Sequence, residues 1–336
     1  MPTTEADARG DDDGGNQVFQ NLWQGLDAPA RDLWLRASYF APEPASPALA
    51  DACGLDTAAR ESLRGHDIIQ IDGEGRFQMT EGARAFARGH TDATAQAAAR
   101  AGFLDGVIER ARAIDLAAGA AIYAADRAQL EEALSLTSSD AADGPRWLFL
   151  LDRVGTGLHA QRELEPARNV MQTALVFSLK APGAENDLGL AARRANLAQV
   201  LIDMGELGPA RDVLEQALAS DAVKSLGDAD PVSISLRSQL AWVAKSLGEL
   251  PRARELLEQV LAASLAAAAE AHPAVAPTRY NLAAIHEKLG NFAEALALLE
   301  PTLRSEERNL GANHPSTQLT RKRIAAIRAR PGMMKR

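Results

Sequence analysis

The chain has 336 residues, enough for two or three ordinary domains or for one domain and a solenoid. It is 46% hydrophobic but only 4% aromatic, and the apolar content is mainly Ala and Leu, which favours helices packed closely through small side chains. The net charge of −9 argues against bulk affinity for nucleic acid or anionic membrane, and the single cysteine, Cys53, excludes an intrachain disulfide and a thiolate metal cluster. No apolar run approaches the roughly 18 residues that span a bilayer, and no charged-then-apolar leader opens the chain, so a soluble cytoplasmic protein is expected.

Residues 1–16, MPTTEADARGDDDGGN, are acidic, Gly-rich and almost without large apolar side chains, so they are expected to be a disordered tail. A helix is predicted around Gln17–Leu26, and another in APARDLWLRASYFAPEP, ended by its Pro-rich turn. SPALADACGL and DTAARESLRGHD give two short helices. DIIQIDGEGRFQMT alternates apolar residues, turns at Gly, and continues as Arg76-Phe77-Gln78-Met79, a hairpin signal. EGARAFARGH closes the segment as a helix.

Three helices, a two-stranded wing and a trailing helix make residues 17–90 a winged-helix pattern, a small α+β domain. Residues 27–90 resemble, in order and wording, the winged-helix module that follows the nucleotide-binding domain in bacterial STAND/NB-ARC regulators. In that family helical linkers and tetratricopeptide repeats often come next. The resemblance implies a regulator, but no Gly-x-x-x-x-Gly-Lys-Ser/Thr occurs in the sequence. The expectation is therefore a STAND-like sensor half without its NTPase domain.

DNA readout by this module needs basic residues on the third helix. That helix offers Arg60 and Arg64 beside Asp56, Glu61 and Asp67, and the wing adds Asp72 and Glu74, which repel phosphate. A packing or protein-contact role is expected. The alternative, a winged-helix DNA-binding transcriptional regulator whose repeats sense a ligand, stays open. Residues 91–144 follow as an Ala-rich helical connector, with ADRAQLEEAL near its end.

From about residue 145 the sequence repeats. RANLAQVLIDMGELGPARDVLE (194–215), RSQLAWVAKSLGELPRARELLE (237–258) and RYNLAAIHEKLGNFAEALALLE (279–300) match at their packing positions, and LLDRVGTGLHAQRELEPARNVMQTAL is a degenerate upstream copy. Ala167, Ala210, Ala253 and Ala295 recur at steps of 43, 43 and 42, and Asp230-Pro231, His272-Pro273 and His314-Pro315 at 42. A fixed period of this size marks a repeat architecture. Each unit predicts a first helix with Leu-Ala at its middle, a Gly (Gly205, Gly248, Gly290) suited to end it, and a second helix packed through its Ala. Gln161-Arg162 stands where the first copy should carry that Gly. A ladder of Arg194, Arg237, Arg279 and Arg321, with Glu215, Glu258 and Glu300, suggests structural ion pairs between repeats.

This pattern resembles the tetratricopeptide repeat, and its period and LGANHPSTQ linker resemble the kinesin-light-chain variety. The resemblance implies a mainly all-α chain with an α-solenoid over residues 145–330, ending in a single helix from about Ser316. It further implies a right-handed superhelix whose first helices line a groove for a peptide or partner protein. The groove positions it implies are Arg153, Thr156, Asn196, Gln199, Asp203, Gln239, Trp242, Lys245, Tyr280, Asn281 and Lys288. Asn and Gln carry donors and an acceptor for a peptide backbone, and Trp242 and Tyr280 add apolar area with a polar handle. Lys245 and Lys288 favour an acidic ligand. Asn196 and Asn281 equally suit a tie between helices.

No catalytic set emerges. The six His are scattered without metal-ligand spacing, GTGLHA at 155–160 lies inside a predicted helix with no strand before it, and Cys53 sits among apolar residues as a buried thiol. Glu131-Glu132 and Glu306-Glu307 read as solvated helix faces. The expected function is non-enzymatic and needs no metal or cofactor: a scaffold or sensor subunit with a peptide in its groove and an effector or second subunit at the winged helix. A further alternative is an accessory subunit of a separately encoded protease or defence effector. Residues 331–336 are expected to be a frayed basic tail after the last helix.

Overall fold

Asp27, Ser46, Asp56, Thr80 and Asp92 each accept a hydrogen bond on the side chain from a backbone N–H three residues ahead, and each opens a helix. The computed structural model describes residues 11–114, 119–140, 142–268 and 275–330. Two compact units divide the chain, residues 1–177 and 178–336.

The first unit holds α1 (Asp11–Gly25), α2 (Ala28–Ala37), α3 (Pro47–Ala52), α4 (Thr57–Gly65), β1 (Gln70–Ile71), β2 (Phe77–Gln78) and α5 (Glu81–Gly89). It continues with α6 (Ala93–Ala111), α7 (Gly119–Leu136), α8 (Gly144–Ala160) and α9 (Leu164–Ser178), which ends at the boundary. Helix α1 begins inside the segment expected to be disordered, while residues 1–10 and the basic tail 331–336 lie outside the described residues. The strands pair antiparallel, Gln70 opposite Gln78 and Ile71 opposite Phe77, and Ala45 adds an antiparallel bridge to Phe77. Asp72 shapes the turn: its Oδ1 accepts from the N–H groups of Glu74 (2.9 Å) and Arg76 (3.0 Å).

The core of this unit is aromatic. The Phe40 ring lies 4.8 Å from that of Phe77 and 5.0 Å from that of Phe103, and the buried indole of Trp34 donates to the carbonyl of Ala83 (3.1 Å). Phe103 belongs to α6, which packs on α2 and α3, while α7 packs on α6 and α8. From α7, Gln129 holds the Pro-rich turn, accepting from Ala41 N–H (2.6 Å) and donating to the Glu43 carbonyl (2.9 Å). Helices α6 and α7 are thus built into the first unit and are more than a connector. Their apolar side chains complete a core that residues 17–90 leave open.

In the second unit α10 (Leu188–Asp203) pairs with α11 (Leu207–Ala219), α13 (Pro231–Ser246) with α14 (Leu250–Ala268), and α15 (Val275–Lys288) with α16 (Phe292–Asn309). Each second helix also packs on the next first helix, the last of them on α17 (Pro315–Arg328). A short 3-10 turn, Ala184–Asn186, and α12 (Asp221–Leu226) occupy the linkers. Ala210, Ala253 and Ala295 are 0% exposed, sealed between the packed helices of each pair.

The interhelix turns repeat in detail. Gly205, Gly248 and Gly290 have φ of 80°, 82° and 82°. The next N–H reaches back to close the helix, Glu206 to Leu201 O (2.8 Å), Glu249 to Ala244 O (2.9 Å) and Asn291 to His286 O (2.8 Å). In the first unit Arg162 adopts the same left-handed conformation, φ 64°, and Glu163 N–H reaches Leu158 O at 3.0 Å. The turn keeps its geometry without the glycine.

The arginine ladder pairs differently from expectation. Arg194 binds Glu185, Arg237 binds Asp228, and Arg321 reaches the Ala312 carbonyl (3.5 Å), each partner standing nine residues upstream in the preceding linker. The ladder glutamates meet other arginines: Glu215 meets Arg252 (4.0 Å), Glu258 meets Arg254 (3.6 Å) and Glu300 meets Arg328 (2.7 Å). A first-helix arginine points back along its own helix toward the linker, and Arg321 also reaches the Glu307 carboxylate of α16 (2.6 Å).

Candidate functional site

Each first helix of the second unit buries its Leu-Ala pair and turns the flanking positions outward. Leu197, Ala198, Leu240, Ala241, Leu282 and Ala283 are buried, whereas Asn196 and Asn281 are exposed at matching positions and Gln239 is half-buried. Three residues after Gln239, Trp242 leaves 45% of its surface to solvent although Ala241 and Val243 on either side are sealed. An indole this open on an otherwise well-packed helix leaves apolar area free to meet a partner.

The other expected positions divide. Gln199 donates to Asp203 (3.1 Å), making one polar pair on α10. Gln239 donates weakly to Ser235 (3.4 Å) while its buried Oε1 meets no donor among the described residues. Lys245 is half-buried and Lys288 exposed. Tyr280 already has a cation on its ring, the Arg323 guanidinium 4.4 Å from the centroid, which also donates to the Tyr280 carbonyl (3.2 Å).

Arg153 and Thr156 lie in the first unit and are occupied internally. Arg153 donates to the Ile114 carbonyl (2.8 Å) and lies 5.1 Å from the Phe149 ring. Thr156 is 8% exposed and its hydroxyl donates to Asp152 O of its own helix (2.8 Å), so it offers a partner nothing. The close packing of α8 explains this. Its Gly155 and Gly157 face Met171 and Tyr123, which is also why GTGLHA is glycine-rich.

A cleft of about 460 Å³ opens between α15, α16 and α17. Tyr280 and Asn281 line it together with Pro277, Glu306, Leu310 and Leu319. Of the four glutamates expected to be solvated, Glu131 binds Arg127 (2.8 Å) and Glu307 binds Arg321 (2.6 Å) at the surface, but Glu132 is turned in to the buried Arg84 (2.6 Å), and Glu306 Oε2 is buried and meets no donor among the described residues. Glu306, Leu310 and Leu319 are missed by sequence reasoning because the cleft forms only where the three consecutive helices α15, α16 and α17 converge, which no single-helix pattern shows.

The first unit pairs its charged groups with one another. Arg60 is 6% exposed and donates to Asp51 (2.6 Å) and the Leu55 carbonyl (2.6 Å), and Arg64 donates to Glu61 (2.9 Å). The Arg76 guanidinium, hydrogen-bonded at 2.8 Å, holds the Asp72 carboxyl below its usual range. Burial, helped by the negative charge of Asp126, pushes the Cys53 thiol up to about 12. Among the described residues no group of three or more His, Cys, Asp or Glu is placed to hold a metal ion, and no helix is long and apolar enough to cross a membrane.

Residues 190–231, 233–274 and 275–316 each match the tetratricopeptide repeat family, so the chain carries tetratricopeptide repeats. No curated protein matches the chain. Among solved structures, nearly identical TPR-like repeats of a kinesin-light-chain-like protein from Podosopora anserina are 24% identical, with a TM-score of 0.48, over 53% of this chain and 83% of that one. BtubC (BKLC) from P. vanneervenii is 18% identical, with a TM-score of 0.49, over 80% of this chain and 92% of that one. A Signal Transduction ATPase with Numerous Domains (STAND) protein with a tetratricopeptide repeat sensor, from Pyrococcus horikoshii, is 12% identical, with a TM-score of 0.49, over 98% of this chain and 62% of that one.

Proposed function

We propose that the chain is a non-enzymatic scaffold or sensor subunit that holds a peptide segment of a partner protein against the first helices of its repeats. The observation that carries this reading is Trp242, 45% exposed between sealed neighbours, with Asn196 and Asn281 exposed on the first helices on either side. The indole supplies the apolar anchor, and the carboxamides pair with the ligand backbone whatever its side chains. Gln199, Asp203, Gln239, Lys245, Tyr280 and Lys288 complete the face. Arg153 and Thr156 are left out because their side chains are taken up inside the first unit.

The test is selection of binding peptides on the native chain from a randomised display library, followed by titration against the Trp242→Ala and Asn281→Ala variants. Loss of the anchor should cost about 2 kcal/mol or more in binding. Helicity and melting temperature should stay unchanged, because neither side chain is part of the core. Selected peptides that bind both variants as tightly as the native chain would remove this face from consideration.

The regulatory part of the proposal rests on residues 27–90. The order of helix α2, a bridge at Ala45, helices α3 and α4, and a two-stranded hairpin supports a winged-helix module. We assign it a protein contact. Arg60 and Arg64, the cations that would meet DNA, are engaged by Asp51 and Glu61, and the turn carries Asp72 and Glu74. A salt-titrated gel shift checks the assignment, since phosphate contacts would appear as a steep loss of binding with added salt.

A further inference from the structure

Glu306 stands in an arrangement that the repeat pattern does not explain. One of its carboxylate oxygens, Oε2, is shut off from solvent and meets no donor among the described residues. Buried carboxylate oxygens without a donor are rare, because an ionised oxygen removed from water loses its hydration without replacement. The nearby arginines on α17 are committed elsewhere, Arg321 to Glu307 (2.6 Å) and Arg323 to Glu287 (2.5 Å). Glu306 lines the cleft of about 460 Å³. Leu310 and Leu319 at its rim are 50% and 54% exposed, and Pro277 and the Tyr280 ring give it further apolar wall. Asn281 adds donors and an acceptor at the edge.

We propose that this cleft receives a lysine or arginine side chain of the partner segment, flanked in that segment by an aliphatic residue. On binding, the Glu306 carboxylate turns its Oε2 toward the cleft, where the partner's cation supplies the donor that this oxygen lacks. The aliphatic neighbour covers Leu310 and Leu319, and Asn281 pairs with the peptide link between the two. The chain's net charge of −9 acts in the same direction over longer range. The proposal rests on the reading that the first helices hold a peptide, and it names what the peptide must carry at the α15–α17 end.

The experiment titrates the full chain with three fluorescein-labelled hexapeptides, alternating leucine with lysine, with glutamine or with glutamate, and reads anisotropy. The lysine peptide is expected to bind about 10- to 100-fold more tightly than the glutamine peptide, the span of a hydrogen-bonded charge pair. Glu306→Gln should erase that preference. Glu294→Gln makes the same charge change on the same helix away from the cleft, and should preserve it. Leu319→Ser should weaken all three peptides, and circular dichroism melting confirms that each variant folds.

Equal binding of the lysine and glutamine peptides, or a lysine preference that survives Glu306→Gln, overturns the proposal. If Trp242→Ala then abolishes peptide binding, the first-helix face stands and the cleft assignment alone falls. If the native chain binds none of the three, both fall. Concentration-dependent self-association that Glu306→Gln abolishes would give the cleft to the basic α17 of a second copy, and would overturn a foreign segment as its occupant.

Discussion

Gly157 of α8 faces the ring of Tyr123 on α7 so closely that a Cβ added at residue 157 would stand 2.2 Å from the ring. The two helices meet with the phenol fully buried and its hydroxyl without a partner among the described residues. Gly157→Ala should therefore destabilise the first unit by about 3 kcal/mol, the upper end of the usual overpacking cost. Denaturant unfolding measures the loss. Adding Tyr123→Leu should recover part of it, a coupling between touching residues that two independent sites would not show.

The interhelix turns give a matched pair of expectations. A Cβ at Gly248 meets nothing within 4 Å, so Gly248→Ala tests backbone conformation alone and should cost about 1–2 kcal/mol at φ 82°. Arg162 holds the same conformation at φ 64° with a side chain attached. Arg162→Gly should raise stability by about 0.5–1 kcal/mol. Thermal melts in which the two substitutions shift in the same direction would contradict the assignment of strain to these turns.

The pair between Glu185 and the buried Arg194 sets a pH dependence. Two hydrogen bonds of 2.6 and 2.7 Å from Arg194 hold the Glu185 carboxyl below its usual 4.5. A depressed carboxyl contributes stability above its unfolded value and loses it as pH falls through the folded one. The native chain should exceed Glu185→Gln in stability by about 1 kcal/mol at pH 7, because the carboxylate is half exposed and screened. That gap should close between about pH 5 and pH 3. A gap that widens on acidification would mean the pair is wrongly assigned.

Cys53 is expected to be inert in the folded chain. With its thiol pushed up to about 12 and 7% of the residue exposed, it carries almost no thiolate at pH 8. Ellman's reagent should label it at the rate of global or local opening and label it promptly in denaturant. Rapid labelling of the native chain would show that the thiol is open to solvent.

What the sequence discloses and what it hides divide along the range of the interaction. The turns at Gly205, Gly248 and Gly290, the sealed Ala210, Ala253 and Ala295, and the capping Asp230 before Pro231 are local features, and each is legible in a window of one helix pair. Trp242 is legible for the same reason, since the burial of its two neighbours fixes its direction. Arg60 is not, because its destination is set by Asp51 and the Leu55 carbonyl on a neighbouring helix and turn. Neither Phe103 nor Gln129 reveals in an Ala-rich stretch that it closes a core or holds a turn more than 60 residues away in sequence. The buried oxygen of Glu306 is hidden by a neighbour of identical type, Glu307, which does behave as a surface residue.

Because Arg194, Arg237 and Arg321 each reach nine residues upstream, helices α10, α13 and α17 are each fastened to the linker that precedes them. The heritable cassette of this array therefore begins before the Asp-Pro or His-Pro step, at the residue the arginine grasps. A duplication or deletion cut at the start of a helix would strand a guanidinium from its linker partner. One cut upstream of the linker would carry the fastening along and leave the joints on both sides intact.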